Sequence, residues 1–148
     1  MSRMRKLDPV IEIARKRTES ALFKLGESNA LLQHEQNQLD DLMHYRDDYL
    51  ARFRRDDPLV MSAKKALELR GFLAQLDQAI HAQQLQVNQS RQVVDRQQQN
   101  WIQARNKEQA LDSLMAKYQA NEQHQQQRRE QRDNDEHTTA LWLRMRRD

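Results

Sequence analysis

Apolar residues recur at alternating steps of four and three between residues 7 and 53. Only four of these fourteen positions are polar. This spacing matches one face of a helix in a left-handed supercoil, in which each apolar side chain packs against a partner helix. The predicted seam of the first helix consists of Leu7, Ile11, Ala14, Thr18, Ala21, Leu25, Ser28, Leu32, Glu35, Leu39, Leu42, Arg46, Tyr49 and Phe53.

The same rhythm returns between residues 66 and 118, where four of sixteen positions are polar. A repeat of seven that persists over so many turns indicates a coiled coil and not an isolated amphipathic helix. The predicted seam of the second helix consists of Ala66, Leu69, Leu73, Leu76, Ile80, Gln83, Val87, Ser90, Val94, Gln97, Trp101, Ala104, Glu108, Leu111, Met115 and Tyr118.

A turn is predicted between the two patterns, near residues 54–62. Pro58 has no amide hydrogen and disfavours helical geometry at Asp57. Folding the chain about position 61 places every seam residue from Leu7 to Phe53 opposite a seam residue of the second helix, with Trp101 facing Ala21. The predicted fold is therefore all-α, a long two-helix antiparallel coiled-coil hairpin over residues 1–118.

Residues 119–148 extend beyond the last paired position. This overhang is rich in glutamine and arginine and ends in the apolar run Leu141-Trp142-Leu143. We expect it to be helical or partly disordered, and its unpaired apolar end suggests a segment that becomes ordered on a partner. A frayed tail with an incidental Trp142 is the alternative.

Composition argues against an enzyme. Only 37% of the 148 residues are hydrophobic, and the chain has two glycines, two prolines and no cysteine. We find no glycine-rich phosphate loop, no cysteine nucleophile and no Ser/His/Asp arrangement, and a two-helix hairpin offers no enclosed pocket. We therefore expect no catalytic residues, no cofactor and no metal site, and no transmembrane segment, because no run approaches the length needed to span a bilayer.

Charge is nearly balanced, with 25 lysines and arginines against 22 aspartates and glutamates. A coiled coil that binds nucleic acid through basic ends is one hypothesis, but acidic residues interleave with basic ones through most of both helices. No continuous basic stripe is evident, so nucleic acid is not an expected partner.

Several residues together resemble the flagellar export protein FliJ family over about residues 21–105. They are Leu25-Gly26-Glu27, Gln38, Leu42, Tyr45, Tyr49, Phe72-Leu73, Leu76, Ala79, Ile80, Val94-Asp95 and Trp101. The length and the hairpin plan are similar too.

The resemblance implies a non-enzymatic component of the flagellar type III protein export apparatus, needed for flagellum assembly and motility. It implies a central stalk of the hexameric export ATPase that also couples the ATPase, the export chaperones and the membrane export gate. The implied location is the cytoplasm, peripherally at the inner face of the cell membrane. The equivalent stalk of a virulence type III secretion system is the alternative.

The resemblance also implies two sets of contact residues. The partner-binding set is Gln38, Leu42, Tyr45, Tyr49, Phe72, Leu76, Ala79 and Gln83, the last at a position where the family usually has histidine. Leu42, Tyr49 and Leu76 also occupy the predicted seam, so core packing is the alternative for them. By resemblance to the stalk of rotary ATPases, the ATPase-contacting set is Arg15, Lys16, Arg17, Arg105 and Lys107.

Overall fold

The fold consists of two long α-helices. The structure, a computed structural model, describes residues 2–55 and 62–147, in which α1 spans Ser2–Arg55 and α2 spans Ala63–Arg147. Every described residue except Ser62 is helical, and these ranges contain no strand. The two helices pack against each other, which confirms the predicted all-α hairpin.

Ser62 caps the start of α2. Its hydroxyl oxygen accepts a hydrogen bond from the Lys65 amide at 3.2 Å, and its carbonyl oxygen accepts one from the Ala66 amide at 3.1 Å. Such a cap satisfies an amide that the first helical turn leaves without a partner. The predicted turn around Pro58 lies mostly outside the described residues, so its conformation stays a prediction.

The seam lies where the sequence pattern places it. All fourteen predicted positions of α1 and all sixteen of α2 are buried or half-buried, and most other residues are exposed. Ile11, Ala14, Leu76, Ile80 and Val87 form the buried apolar core. A single line of side chains on each helix therefore supplies most of the apolar burial that stabilises the fold.

Polar residues in the seam form hydrogen bonds. Thr18 donates to the Ala14 carbonyl at 3.0 Å, and buried Ser28 donates to the Leu25 carbonyl at 2.8 Å. Among the side chains described, those of residues 3–54 and 62–146, no buried nitrogen or oxygen lacks a hydrogen-bond partner. These hydroxyls therefore avoid most of the cost of burying an unpaired polar group.

Two other polar seam residues bond across the helices. The Gln83 amide donates to the Glu35 carbonyl at 2.9 Å and to the Glu35 carboxylate at 2.5 Å. Arg46 Nε donates to Asp77 Oδ1 at 2.7 Å. The sequence analysis did not anticipate either contact, because it considered only the directly opposed seam positions.

The chain divides into two compact units, Ser20–Ile102 and the combination of Met1–Glu19 with Gln103–Asp148. In the first unit Glu35 contacts Gln83 and Arg46 contacts Asp77, so α2 runs opposite to α1. In the second unit the Arg15 guanidinium lies 4.0 Å from the Asp112 carboxylate. Arg3 there lies over the ring of Tyr118, 6.0 Å from its centroid, which indicates the same antiparallel direction.

The predicted overhang is helical. α2 continues to Arg147, and every side chain described after Glu122 is exposed. The division of the chain at residue 118 stays an interpretation. None of the helical residues described forms a stretch long and apolar enough to cross a membrane.

Replacing Gly26 or Gly71 by alanine should raise the free energy of unfolding by about 1 kcal/mol each, because glycine is a poor helix former. Both lie inside helices, and an added Cβ meets nothing within 4 Å. Urea denaturation followed by circular dichroism measures the change. Ala74→Gly, at an exposed position of α2, is the matched control and should lower the value by a similar amount. Unchanged stability in all three variants would contradict the helical packing described here.

Cysteines at Ala14 and Glu108, or at Ala21 and Trp101, should form disulfides within one chain under mild oxidation, because the register places each pair across the seam. Non-reducing electrophoresis with mass spectrometry measures the products. Cysteines at Phe23 and Trp101 are the control, since Phe23 is 68% exposed and lies off the seam. If disulfides form only between chains, the register is wrong.

Candidate partner-binding edge

Three aromatic rings from the two helices form a cluster in the unit Ser20–Ile102. The Tyr49 and Phe72 ring centroids are 4.5 Å apart, and the Tyr45 and Phe72 centroids are 5.9 Å apart in an edge-on arrangement at 68°. Both separations lie within the range in which aromatic pairs attract each other. Tyr49 therefore meets Phe72 across the hairpin, next to Leu73, the residue that the predicted register places opposite Tyr49.

The three rings of the cluster differ in solvent exposure. Tyr49 is half-buried in the seam, Phe72 is half-buried beside it, and Tyr45 is 54% exposed. Phe72 packs between the two tyrosines, which restricts how freely Tyr45 moves. An exposed aromatic ring held in place this way buries a large area on a partner at a small cost in conformational entropy.

The other residues of the predicted partner-binding set differ in exposure. Gln38 and Ala79 are exposed, Leu42 and Gln83 are half-buried, and Leu76 is only 7% exposed. Leu76 is therefore part of the core and supports the surface from beneath.

Gln38 and Gln83 each bond elsewhere in the chain. Gln83 donates to Glu35, and Gln38 Nε2 lies 3.2 Å from His34 Nε2 on the same helix. The hydrogen bond to Glu35 ties Gln83 to a residue one turn away from Gln38.

The exposed residues of the set lie along one edge of the seam. Counting in sevens from Tyr45 and Phe72 gives the positions that flank the seam on this side, and we call them the aromatic edge. Between residues 31 and 45 of α1 and between residues 72 and 93 of α2, they are Leu31, Gln38, Tyr45, Phe72, Ala79, Gln86 and Val93. Leu31 is 50% exposed and Val93 is half-buried.

Leu31 and Val93 were missed in the sequence analysis, although the heptad position they share with Tyr45 and Phe72 marks them. The opposite edge differs, because the Arg46–Asp77 pair lies beside a groove that Asp47 and Met43 also line. The aromatic edge thus carries five aromatic or aliphatic side chains beside Gln38 and Gln86, whereas on the opposite side an ion pair joins the two helices.

The predicted ATPase-contacting residues all lie in the unit formed by Met1–Glu19 and Gln103–Asp148. All five are exposed. Consecutive helical residues project about 100° apart, so Arg15, Lys16 and Arg17 point in three directions. The five cations therefore surround the helix pair, and Arg15 lies close to Asp112.

Candidate chemistry is sparse along the two helices. Across residues 2–55 and 62–147, no group of three or more histidine, cysteine, aspartate or glutamate side chains is arranged to hold a metal ion. What the described arrangement offers is surface, with aromatic and aliphatic side chains along the aromatic edge and exposed cations on the other unit.

A family model described as "Flagellar FliJ protein" matches residues 3–147, and so includes both units and both candidate surfaces. Among curated proteins, no individual sequence gives a significant match to the chain. Since the family match spans nearly all of the sequence and the helical hairpin agrees with it, the chain belongs to the flagellar FliJ protein family.

Proposed function

We propose that this protein is a non-catalytic component of flagellar protein export that serves as the central stalk of the export ATPase. We further propose that it couples the ATPase and the export chaperones to the membrane export gate, in the cytoplasm and peripherally at the inner face of the cell membrane. The observation that carries the proposal is the family match over residues 3–147. The matching family is a flagellar one, and this favours the flagellar system over a virulence secretion system.

Stalk function is supported by the unit formed by Met1–Glu19 and Gln103–Asp148. Ile11 and Ala14 are buried between antiparallel helices, while five cations are exposed around them. Two antiparallel helices held by a narrow seam form a slender element that suits the central pore of a ring. Exposed cations attract an oppositely charged entrance over several ångströms and increase the association rate.

Coupling to the gate or to chaperones is supported by the aromatic edge. Tyr45 is exposed and packs on Phe72, and the neighbouring apolar residues Leu31, Ala79 and Val93 extend the edge along the two helices. A partner that covers this edge removes aromatic and aliphatic surface from water without disturbing the buried seam.

Tyr45→Ala should weaken binding to the isolated export gate protein by about tenfold or more, as expected for an aromatic residue at the centre of an interface. Because Tyr45 is 54% exposed, we expect the free energy of unfolding to fall by less than about 1 kcal/mol. Titration calorimetry and thermal denaturation measure the two quantities.

Phe23→Ala is the matched control for Tyr45→Ala, because Phe23 is an exposed aromatic of α1 that lies off the aromatic edge. It should leave gate binding unchanged. If both variants bind the gate as the parent does, the aromatic edge does not contact the gate. If both lose binding equally, general apolar surface is responsible and the edge is not specific.

Reversing Arg15, Lys16 and Arg17 to glutamate should lower stimulation of the export ATPase at low salt, because the reversed charges repel the surface that the cations attract. ATPase rate against stalk concentration, at low and moderate salt, measures the effect. The difference from the parent should shrink as salt screens the charges.

Reversal of Lys64, Lys65 and Arg70 is the matched control, since these exposed cations lie in the unit Ser20–Ile102. It changes the net charge equally. Equal stimulation by the parent and the Arg15, Lys16 and Arg17 variant at both salt concentrations would rule out these residues as the steering surface.

A further inference from the structure

The end of α2 exposes large apolar side chains that neither candidate surface includes. Trp142 is 56% exposed and Met145 is 77% exposed, and Leu141 and Leu143 are exposed as well. The described side chains from residue 123 onward are all exposed, so no other part of the chain that the structure describes covers these residues.

Helical geometry gathers three of them on one face. At about 100° per residue, Leu141, Met145 and Trp142 fall within an arc of roughly 100°. Arg144 lies just beyond one border of this arc and Arg146 just beyond the other. We call these five residues the terminal face; Leu143 lies outside it.

Arginine and tryptophan are in direct contact on this face. The Arg146 guanidinium lies 4.9 Å from the centroid of the Trp142 ring, within cation–π distance. The terminal face is thus an apolar strip with one arginine on each side, and the Trp142 indole lies at the border next to Arg146. Tryptophan prefers the boundary between lipid headgroups and acyl chains, where its ring is in an apolar environment and its N–H group can still form hydrogen bonds.

The positive charge at the end of α2 favours an anionic ligand. From Leu141 to Arg147 the sequence holds three arginines and no acidic residue. An amphipathic helix with a narrow apolar strip between cations suits a layer that is anionic at its surface and apolar beneath. The apolar strip from Leu141 to Met145 covers roughly 1.4 turns, which is short for a helix–helix interface, in which a heptad pattern would continue along the helix.

We propose that the terminal face binds the surface of membranes that contain anionic phospholipids, with the last turns of α2 lying in the headgroup region. Leu141, Trp142 and Met145 insert between the lipids, and Arg144 and Arg146 contact the phosphates. This inference deepens and rests on the proposed peripheral location at the membrane, because it makes lipid a direct ligand of this chain.

The full-length Trp101→Phe variant allows a direct test, because Trp142 is then the only tryptophan of the chain. On vesicles of phosphatidylglycerol mixed with phosphatidylcholine, Trp142 fluorescence should shift to shorter wavelength and the protein should float with the vesicles. Vesicles of phosphatidylcholine alone should give neither effect, and added salt should weaken binding to the anionic vesicles.

Replacing Arg144 and Arg146 by glutamine should weaken vesicle binding by about 25-fold, since each cation near an anionic surface contributes roughly a factor of five. Arg128→Gln with Arg129→Gln removes the same charge from an exposed part of α2 outside the terminal face. It is the matched control and should change binding less than about twofold. Trp142→Ala in the parent chain should abolish flotation.

Four results would overturn the proposal. These are no fluorescence shift on anionic vesicles, equal binding to phosphatidylcholine alone, equal loss in the control variant, and a shift that depends on protein concentration without lipid. The last would show that a second copy covers the terminal face. The vesicle assay contains neither the ATPase nor the gate. A negative result would therefore overturn lipid binding alone, and the ATPase and gate-binding experiments would still test the proposed function.

Discussion

The structure depends on burial of one narrow stripe of side chains on each helix. With only 37% hydrophobic residues, the chain cannot build layers of core, and a two-helix seam needs only two positions in every seven. The other five positions in every seven are not needed for this packing, so their side chains can form binding surfaces. Since the buried core includes Ile11 and Ala14 in one unit and Leu76, Ile80 and Val87 in the other, both units depend on the same kind of packing.

The seam positions could be predicted in full because they follow from spacing alone. A step of four and then three keeps a side chain on one face whatever its neighbours are, so even Thr18 and Ser28 could be placed before their hydrogen bonds were seen. Whether residues 119–148 are helical could not be predicted, since a sequence pattern without a seam fits an unpacked helix and a disordered tail equally well.

The side-chain contacts around the seam could not be predicted in the same way. Gln83 and Arg46 carry long side chains that reach along the partner helix, so the positions they face do not identify the groups they bond. The aromatic edge was predicted in part through Tyr45 and Phe72. Leu31 and Val93 lie two and three heptads away from Tyr45 and Phe72, so only the heptad position, and no local motif, connects them to the aromatic cluster.

The two polar contacts across the seam also have a consequence for slippage. A seam of uniform leucines can slide by one heptad with little loss, because each side chain finds an equivalent neighbour. Here a slip of seven residues brings Arg46 next to Arg70 or Gln84 in place of Asp77. Glu35 likewise exchanges Gln83 for a leucine or a serine. The same residues that weaken the apolar seam thus fix the register of the two helices, because a slipped pairing loses both of their hydrogen-bonded contacts.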